Sequence, residues 1–370
     1  MNARDIKYLN LTIDLALKAE GSTSPNPLVG AVLVKSNKII AQGFHRQCGQ
    51  AHAEIEAIKK AGKKAKGADL YVNLEPCSHF GRTGPCTDAI INAGIKRVII
   101  GMIDPNPITS GKGITILKKN GIKVELCRDS RPFEQLNEIF IKYITKKIPF
   151  IALKVAQSID GKIATKTYQS KWITGKHSRD YSQCLRKKYD AIMVGVNTIL
   201  KDNPYLSCRF GDELLEDSPV KIIVDATLKT PANSNIFSGL SPAPVIMATT
   251  TRASKKKIQQ FNYLDVDVIV CPVDKNNAVD LKYLINELAK NEITSILVEG
   301  GGKLNGSFFD AKLVDKAYFF IAPKIIGGEH AVLSVAGSGC SKLEKALTLE
   351  NVKYIQFGED FLIEGNVKYK

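Results

Sequence analysis

Three side chains in the first quarter of the chain have the types and the spacing of a metal site: His52, Cys77 and Cys86. Zinc takes imidazole and thiolate donors, four of them in a tetrahedron when its role is structural. Three protein donors leave one position open to solvent, and a zinc held that way makes water nucleophilic near neutral pH. Glu54 follows His52 by two residues and stands outside the donor set. A carboxylate so placed can carry protons between the attacking water and a departing amine. A closed structural site would need a fourth donor at regular spacing. His79 is a candidate, two residues from Cys77 on a glycine-containing loop.

The order His-x-Glu, then Pro76-Cys77, then Pro85-Cys86 is the signature of zinc enzymes that remove an amino group from a pyrimidine or purine ring. The spacing departs from the common one. Nucleic-acid deaminases place their two cysteines as Cys-x-x-Cys, whereas eight residues separate Cys77 from Cys86 here. That insertion carries His79, Arg82 and two glycines, and it has the makeup of an anion-reading loop laid beside the metal. Cys86 precedes a helical run, Thr87 to Ala93, and a helix N-terminus favours the thiolate form.

Three further constellations lie in the second half. Lys154 to Lys162 reads as a strand ending in a turn, followed by Ser170 to Thr174 with Trp172. Gly195 to Pro204 contains Thr198 and Asp202, with Leu206 and Arg209 just beyond. Val298-Glu299-Gly300-Gly301-Gly302 is a strand running into three glycines and a helix start at Leu304. Glycines there let backbone N–H groups approach a phosphate, and a helix N-terminus adds favourable potential. Asn305 occupies the last position of the Gly-x-Gly-x-x-Gly pattern, which argues against a Rossmann site. A tight turn that merely needs glycine, and a Trp172 that merely packs, are the plain alternatives.

The elements that must position these groups alternate strand and helix. In the first half, Gly30 to Val34 and Ile39 to Gly43 form a hairpin around Ser36-Asn37, and Glu54 to Ala61 a helix. Asp69 to Leu74 is a strand that delivers Glu75-Pro76-Cys77, and Arg97 to Met102 is the next. Helices over Gly113 to Asn120 and Arg131 to Tyr143 flank a strand at Lys123 to Leu126. This implies a mostly parallel sheet, with the metal donors at strand ends and helix starts. A boundary near Lys146 gives two domains, residues 1–146 and 147–370, the second with its own sheet.

At 370 residues and 44% hydrophobic content, each half can bury a core. Eight scattered cysteines argue against a secreted disulfide scaffold. No apolar run approaches the roughly 18 residues that span a bilayer, and Met1 to Glu20 reads as an amphipathic helix. A cytoplasmic protein without a membrane partner is expected. The net charge of +15 is shared: residues 1–145 hold 21 Lys and Arg against 13 Asp and Glu, the remainder 31 against 24. Spread basic charge with 7% aromatics suits small anionic substrates better than nucleic acid.

Together the motifs resemble the bifunctional riboflavin biosynthesis deaminase/reductase family. The residues that carry the likeness are Pro25-Asn26-Pro27-x-Val29-Gly30, Gly43-Phe44-His45, His52-Ala53-Glu54, Leu74 to Cys86 and Asp104-Pro105-Asn106-Pro107. The resemblance covers essentially the whole chain. It implies an α/β protein with an N-terminal cytidine-deaminase-like three-layer domain and a C-terminal dihydrofolate-reductase-like domain. It implies one Zn2+ on His52, Cys77 and Cys86, with Glu54 as proton carrier. Asn26, His45, His79 and Arg82 are similar to positions that hold the substrate in the first half. In the second half the resemblance implies NADPH, with Lys154, Asp202 and Glu299 around substrate and nicotinamide. Ser170, Arg186, Leu206, Arg209 and Glu299 resemble substrate positions, with Arg186 and Arg209 as phosphate partners. Ala156, Trp172, Thr198, Asp202 and the loop Gly301, Gly302, Lys303, Leu304, Asn305, Gly306 and Ser307 resemble the cofactor site. A homo-oligomer, dimer or tetramer, is implied too. Three rivals stay open at this point: a nucleic-acid editing deaminase with a basic C-terminal module, a non-catalytic zinc module, and a deaminase fused to a reductase of another pterin or pyrimidine.

Overall fold

Ser36 and Asn37 both adopt left-handed backbone, with φ of 49° and 64°. Two such residues in succession make the tight hairpin whose twist matches its strands. They join β1 (Gly30–Lys35) to β2 (Lys38–Phe44). The computed structural model describes residues 1–78, 84–211, 213–214, 218–238 and 243–370, and it divides into two units, Met1–Lys147 and Ile148–Lys370.

In the first unit, α1 (Ala3–Leu17) precedes the hairpin. Then follow α2 (Ala53–Ala61), β3 (Asp69–Leu74), α3 (Cys86–Asn92), β4 (Arg97–Met102), α4 (Lys112–Lys119), β5 (Lys123–Leu126), α5 (Arg131–Leu136) and α6 (Glu138–Lys146). The strand order is β2-β1-β3-β4-β5. β1 runs antiparallel to both its neighbours and β3, β4 and β5 run parallel, so the sheet is mixed rather than mostly parallel. Two glycines permit the helices to lie directly on the sheet. A Cβ on Gly30 would stand 2.1 Å from the Thr12 carbonyl oxygen of α1, and one on Gly43 2.3 Å from that of Ala53 in α2. The core between them includes Leu9, Leu33, Leu70, Ile90 and Ile99.

The helix expected over Arg131 to Tyr143 is broken at Asn137. Its side chain brackets one backbone residue 109 positions away: Leu28 N–H donates to Oδ1 at 2.8 Å, and Nδ2 donates to the Leu28 carbonyl at 3.1 Å. A side chain used in that way competes with helix continuation, and Asn137 sits at φ −107° between α5 and α6.

The second unit comprises β6 (Phe150–Ser158), β7 (Lys162–Ala164), α7 (Lys176–Lys188), β8 (Ala191–Gly195), α8 (Val196–Asp202), β9 (Arg209–Phe210), β10 (Glu213–Leu214) and β11 (Val220–Val224). It continues with β12 (Val245–Thr250), α9 (Lys255–Asn262), β13 (Asp267–Cys271), α10 (Leu281–Lys290), β14 (Ser295–Val298), α11 (Gly302–Asp310), β15 (Lys316–Ala322), β16 (Val332–Leu333), β17 (Thr348–Phe357) and β18 (Asp360–Lys368). Nine strands form one sheet in the order β13-β12-β11-β8-β14-β6-β15-β18-β17. It is parallel from β13 to β15 and antiparallel at its last two pairings. The parallel strands are almost wholly apolar because both faces are covered: Leu284, Leu288 and Phe308 belong to one core, Ile199, Leu228 and Phe261 to the other. Among the described residues, no helix is long and apolar enough to cross a membrane.

Candidate active sites

In the first unit, β3 ends at Leu74 and the chain continues through Glu75-Pro76 to Cys77. Pro85 and Cys86 open α3, and His52 is the residue before α2. Two helix starts and one strand end therefore bring the three donors together. The Nδ1 of His52 lies 3.2 Å from the Cys86 sulfur and 3.5 Å from that of Cys77, and all three donor atoms fall within 4.8 Å of one another. Donors on a tetrahedral zinc stand roughly 3.5 to 3.8 Å apart for ordinary bond lengths. The donor set and its spacing thus fit zinc with one position left over.

The electrostatics agree. A hydrogen bond from Cys86 and one from His52 pull the Cys77 thiol well below its usual range, which favours the thiolate that a metal binds. The Cys86 backbone N–H also donates to the Cys77 sulfur at 3.3 Å. The bond to Cys77 pushes the Cys86 thiol the other way, and burial adds to it. Glu54, in the first turn of α2, is 3% exposed and lies near enough to Cys77 and His52 to feel their charges. Burial first, and then the Cys77 charge, push its carboxyl above the usual range.

His45 is buried beside this cluster, with its ring edge-on to that of His52 at 5.4 Å. Its Nδ1 faces the Ala51 carbonyl at 3.1 Å, and only a protonated nitrogen can satisfy that acceptor. Nε2 is then the acceptor for the Asn26 Nδ2–H, also at 3.1 Å. The pair fixes the Asn26 amide. His79 and Arg82 lie outside the described residues.

In the second unit, Lys154 of β6, Arg186 of α7 and Glu299, the residue after β14, come together. Arg186 of α7 grips Glu299 with two parallel bonds, Nε to Oε1 at 2.9 Å and Nη2 to Oε2 at 2.8 Å. Its third nitrogen, Nη1, donates to the Ser207 carbonyl at 2.9 Å. Arg209 reaches the same residue, donating from Nε to the Ser207 hydroxyl at 3.1 Å. Arg186, expected as a phosphate partner, therefore has three of its N–H groups committed inside the protein, and two are left. Burial alone would push the Glu299 carboxyl up, but the charge and hydrogen bonds of Arg186 win and hold it at about 2. Burial pushes the Lys154 ammonium down against the pull of Glu299. Asp202, the last residue of α8, accepts a hydrogen bond from Ser170 at 3.3 Å.

The glycine turn after β14 splits in two. A Cβ on Gly301 would meet nothing within 4 Å, and Gly301 caps α11, whose first N–H groups have no partner within the helix and can meet an anion. Gly302 and Gly306 instead lie against the 333–336 segment: a Cβ would fall 2.1 Å from the Leu333 carbonyl oxygen and 1.9 Å from that of Ala336. Asn305 donates to the Ser334 carbonyl at 2.8 Å, while its buried Oδ1, beside Gly300, has no partner among the described residues. An open helix start, a close-approach glycine and an orphaned acceptor suit a dinucleotide. Lys303 and Ser307 lie on the same helix and Leu304 packs towards Gly300. Ala156 lies on β6 and Thr198 on α8. Leu206 is buried, with φ of 50°.

Three side chains that the sequence did not single out as site residues make contacts here. Arg179 stacks 4.6 Å from the Trp172 ring, Lys324 donates to the Trp172 carbonyl at 2.8 Å, and Asp160 accepts the N–H groups of Ile326 and Gly327. Asp160 stands in the Lys154 to Lys162 motif, which was a signal for it; Arg179 and Lys324 had none.

Residues 2–102 match the family described as the cytidine and deoxycytidylate deaminase zinc-binding region, and residues 149–363 match the RibD C-terminal domain. The riboflavin biosynthesis protein RibD of Aquifex aeolicus is 43% identical over 359 residues, 97% of either chain. The chain belongs to the RibD family. The RibD of Escherichia coli is 37% identical, over 88% of this chain and 89% of its own. Among solved structures, RibD of Acinetobacter baumannii superposes with a TM-score of 0.87 at 32% identity. A diaminohydroxyphosphoribosylaminopyrimidine deaminase/5-amino-6-(5-phosphoribosylamino)uracil reductase of Thermotoga maritima does so with 0.84 at 37%, each covering 99% of both chains. The two units thus carry the RibD folds: a cytidine-deaminase-like zinc domain and a dihydrofolate-reductase-like domain for NADPH.

Proposed function

We propose that this chain performs two consecutive steps of riboflavin biosynthesis on one phosphorylated pyrimidine. 2,5-Diamino-6-(5-phosphoribosylamino)pyrimidin-4-one gains water and loses its 2-amino group as ammonia. The ribosyl group of the product then accepts hydride and a proton to become ribityl. The observation that carries the reading is the His52–Cys77–Cys86 cluster with buried Glu54 beside it, in a chain 43% identical to the Aquifex RibD over 97% of its length.

Zinc, when bound by His52, Cys77 and Cys86, supplies the Lewis acidity that makes water a nucleophile at neutral pH. Glu54 takes the proton from that water and delivers it to the departing amine. Asn26, its amide fixed by His45, presents Oδ1 to an N–H of the ring. The family resemblance assigns ring and phosphate binding to His79 and Arg82 as well. In the second half, Ala156, Trp172, Thr198 and the turn at Gly301 would hold NADPH, which would supply the hydride. Glu299 is ionised, so it serves as an acceptor for a ribose hydroxyl. Lys154, buried within reach of the Glu299 charge, helps balance it. Asp202, oriented by Ser170, is the proton donor as the ring-opened imine is reduced. Arg209 and the two remaining N–H groups of Arg186 hold the phosphate beside Leu206.

The protein works in the cytoplasm as a homo-oligomer on this reading. The ten-residue edge strand β17, with Tyr354 exposed, is a surface that association would cover. Mass spectrometry of products tests the reaction order. The purified chain with zinc should exchange an amino group for oxygen without NADPH and add two hydrogens once NADPH is present. Reduction of the diamino substrate without prior deamination would contradict the order.

A further inference from the structure

We propose that Glu75 is the positioning residue of the zinc donor Cys77, acting through the first turn of α4 and the Asp104–Asn106 turn. The inference rests on the reading of His52, Cys77 and Cys86 as the zinc donors. Glu75 leaves β3 two residues before Cys77, and its side chain is buried. Its carboxylate gathers three backbone N–H groups: Oε2 accepts from Gly111 at 2.9 Å and from Asp104 at 3.1 Å, and Oε1 from Ile114 at 3.2 Å. Two of these belong to the start of α4, whose N–H groups have no partner within the helix. The third opens the Asp-Pro-Asn-Pro motif. Its Asp104 folds back on the same turn, accepting from the Asn106 N–H at 2.9 Å and from the Thr109 hydroxyl at 2.6 Å.

The backbone on either side of Glu75 is held as well. Its own N–H donates to the Met102 carbonyl at 3.0 Å, which ties it to the end of β4. A Cβ on Gly113 would stand 2.2 Å from the Pro76 carbonyl oxygen, so α4 presses directly on the residue before the metal donor. Beyond it, the Cys77 carbonyl accepts from Thr87 at 3.2 Å and so meets α3. Cys77 therefore hangs between two helices, and Glu75 is the anchor that sets its distance from α4. The groups that orient a metal's donors commonly carry about 10- to 100-fold of its affinity.

The test uses full-length chain loaded with zinc or with cobalt. Glu75→Gln keeps the shape but turns an N–H donor towards backbone donors. Gly113→Ala forces α4 and Pro76 apart from the other side. Both variants should release zinc to a chelator about 10- to 100-fold faster and alter the cobalt visible bands. Reduction of pre-deaminated substrate by the same preparations should match wild type, which reports that the second unit is intact, and an unchanged far-UV circular dichroism spectrum reports that the first is folded. Wild-type release rates and cobalt spectra in both variants would overturn the proposal, even with a lowered melting temperature. A wild-type chain that takes up no zinc would instead sink the metal reading beneath it.

Discussion

Arg186→Met should expose what holds the reductase site together. Arg186 and Glu299 are side chains only 17% and 10% exposed, joined by two hydrogen bonds of 2.9 and 2.8 Å. Holding the Glu299 carboxyl at about 2 instead of the ordinary 4.5 contributes about 3 kcal/mol to folding at neutral pH. Removing one partner of a buried pair costs about 3 to 5 kcal/mol, so the two magnitudes agree. The sign follows from linkage. A depressed carboxyl stabilises the fold above its unfolded value near 4.5, and that stability is lost as pH falls through about 2. In Arg186→Met, burial of Glu299 is no longer overcome by the guanidinium, and this pH dependence disappears or reverses. Trp172, the one tryptophan, sits in this unit and reports its unfolding in urea. The difference between wild type and variant should be about 3 kcal/mol at pH 7 and should shrink steadily as pH drops below 4.5. A difference that stays constant from pH 7 to pH 3 would refute the reasoning.

Three other outcomes follow from the same geometry. Cys86→Ser should lower zinc content well below one ion per chain and abolish ammonia release, while reduction of deaminated substrate persists; metal analysis beside both assays checks this. Asp202→Asn should keep NADPH binding, followed by quenching of Trp172, and lose about 10²- to 10⁴-fold in turnover; full reductase activity would remove Asp202 as proton donor. Leu33→Ala, in the wholly buried middle of β1, should destabilise the first unit by about 2 to 5 kcal/mol in chemical unfolding and leave Trp172 unfolding untouched.

The zinc donors were legible because they are local. His52, Cys77 and Cys86 sit at one strand end and two helix starts, and Glu54 is tied to His52 by helix spacing alone. The parallel strands were legible too, since burial on both faces makes them continuous apolar runs. α7 was not, because it buries only Ser178, Ser182 and Leu185 and shows no apolar stripe. β17 alternates weakly, being largely exposed at the edge of its sheet. Arg186 and Glu299 could be named as site residues, yet their pairing spans 113 positions, so the cost to Arg186 as a phosphate ligand was invisible. Glu75 stood inside a quoted motif, but its partners come from two turns, 29 to 39 positions further along the chain.

The central claim is that one chain deaminates first and reduces second, with separate machinery for each. Glu54→Ala chain, loaded with zinc and given the diaminopyrimidine ribotide and NADPH, tests it most directly. Neither ammonia nor NADPH oxidation should appear, and oxidation should resume at the wild-type rate once deaminated substrate is added. NADPH oxidation without ammonia release, or no rescue by the deaminated substrate, would contradict the account.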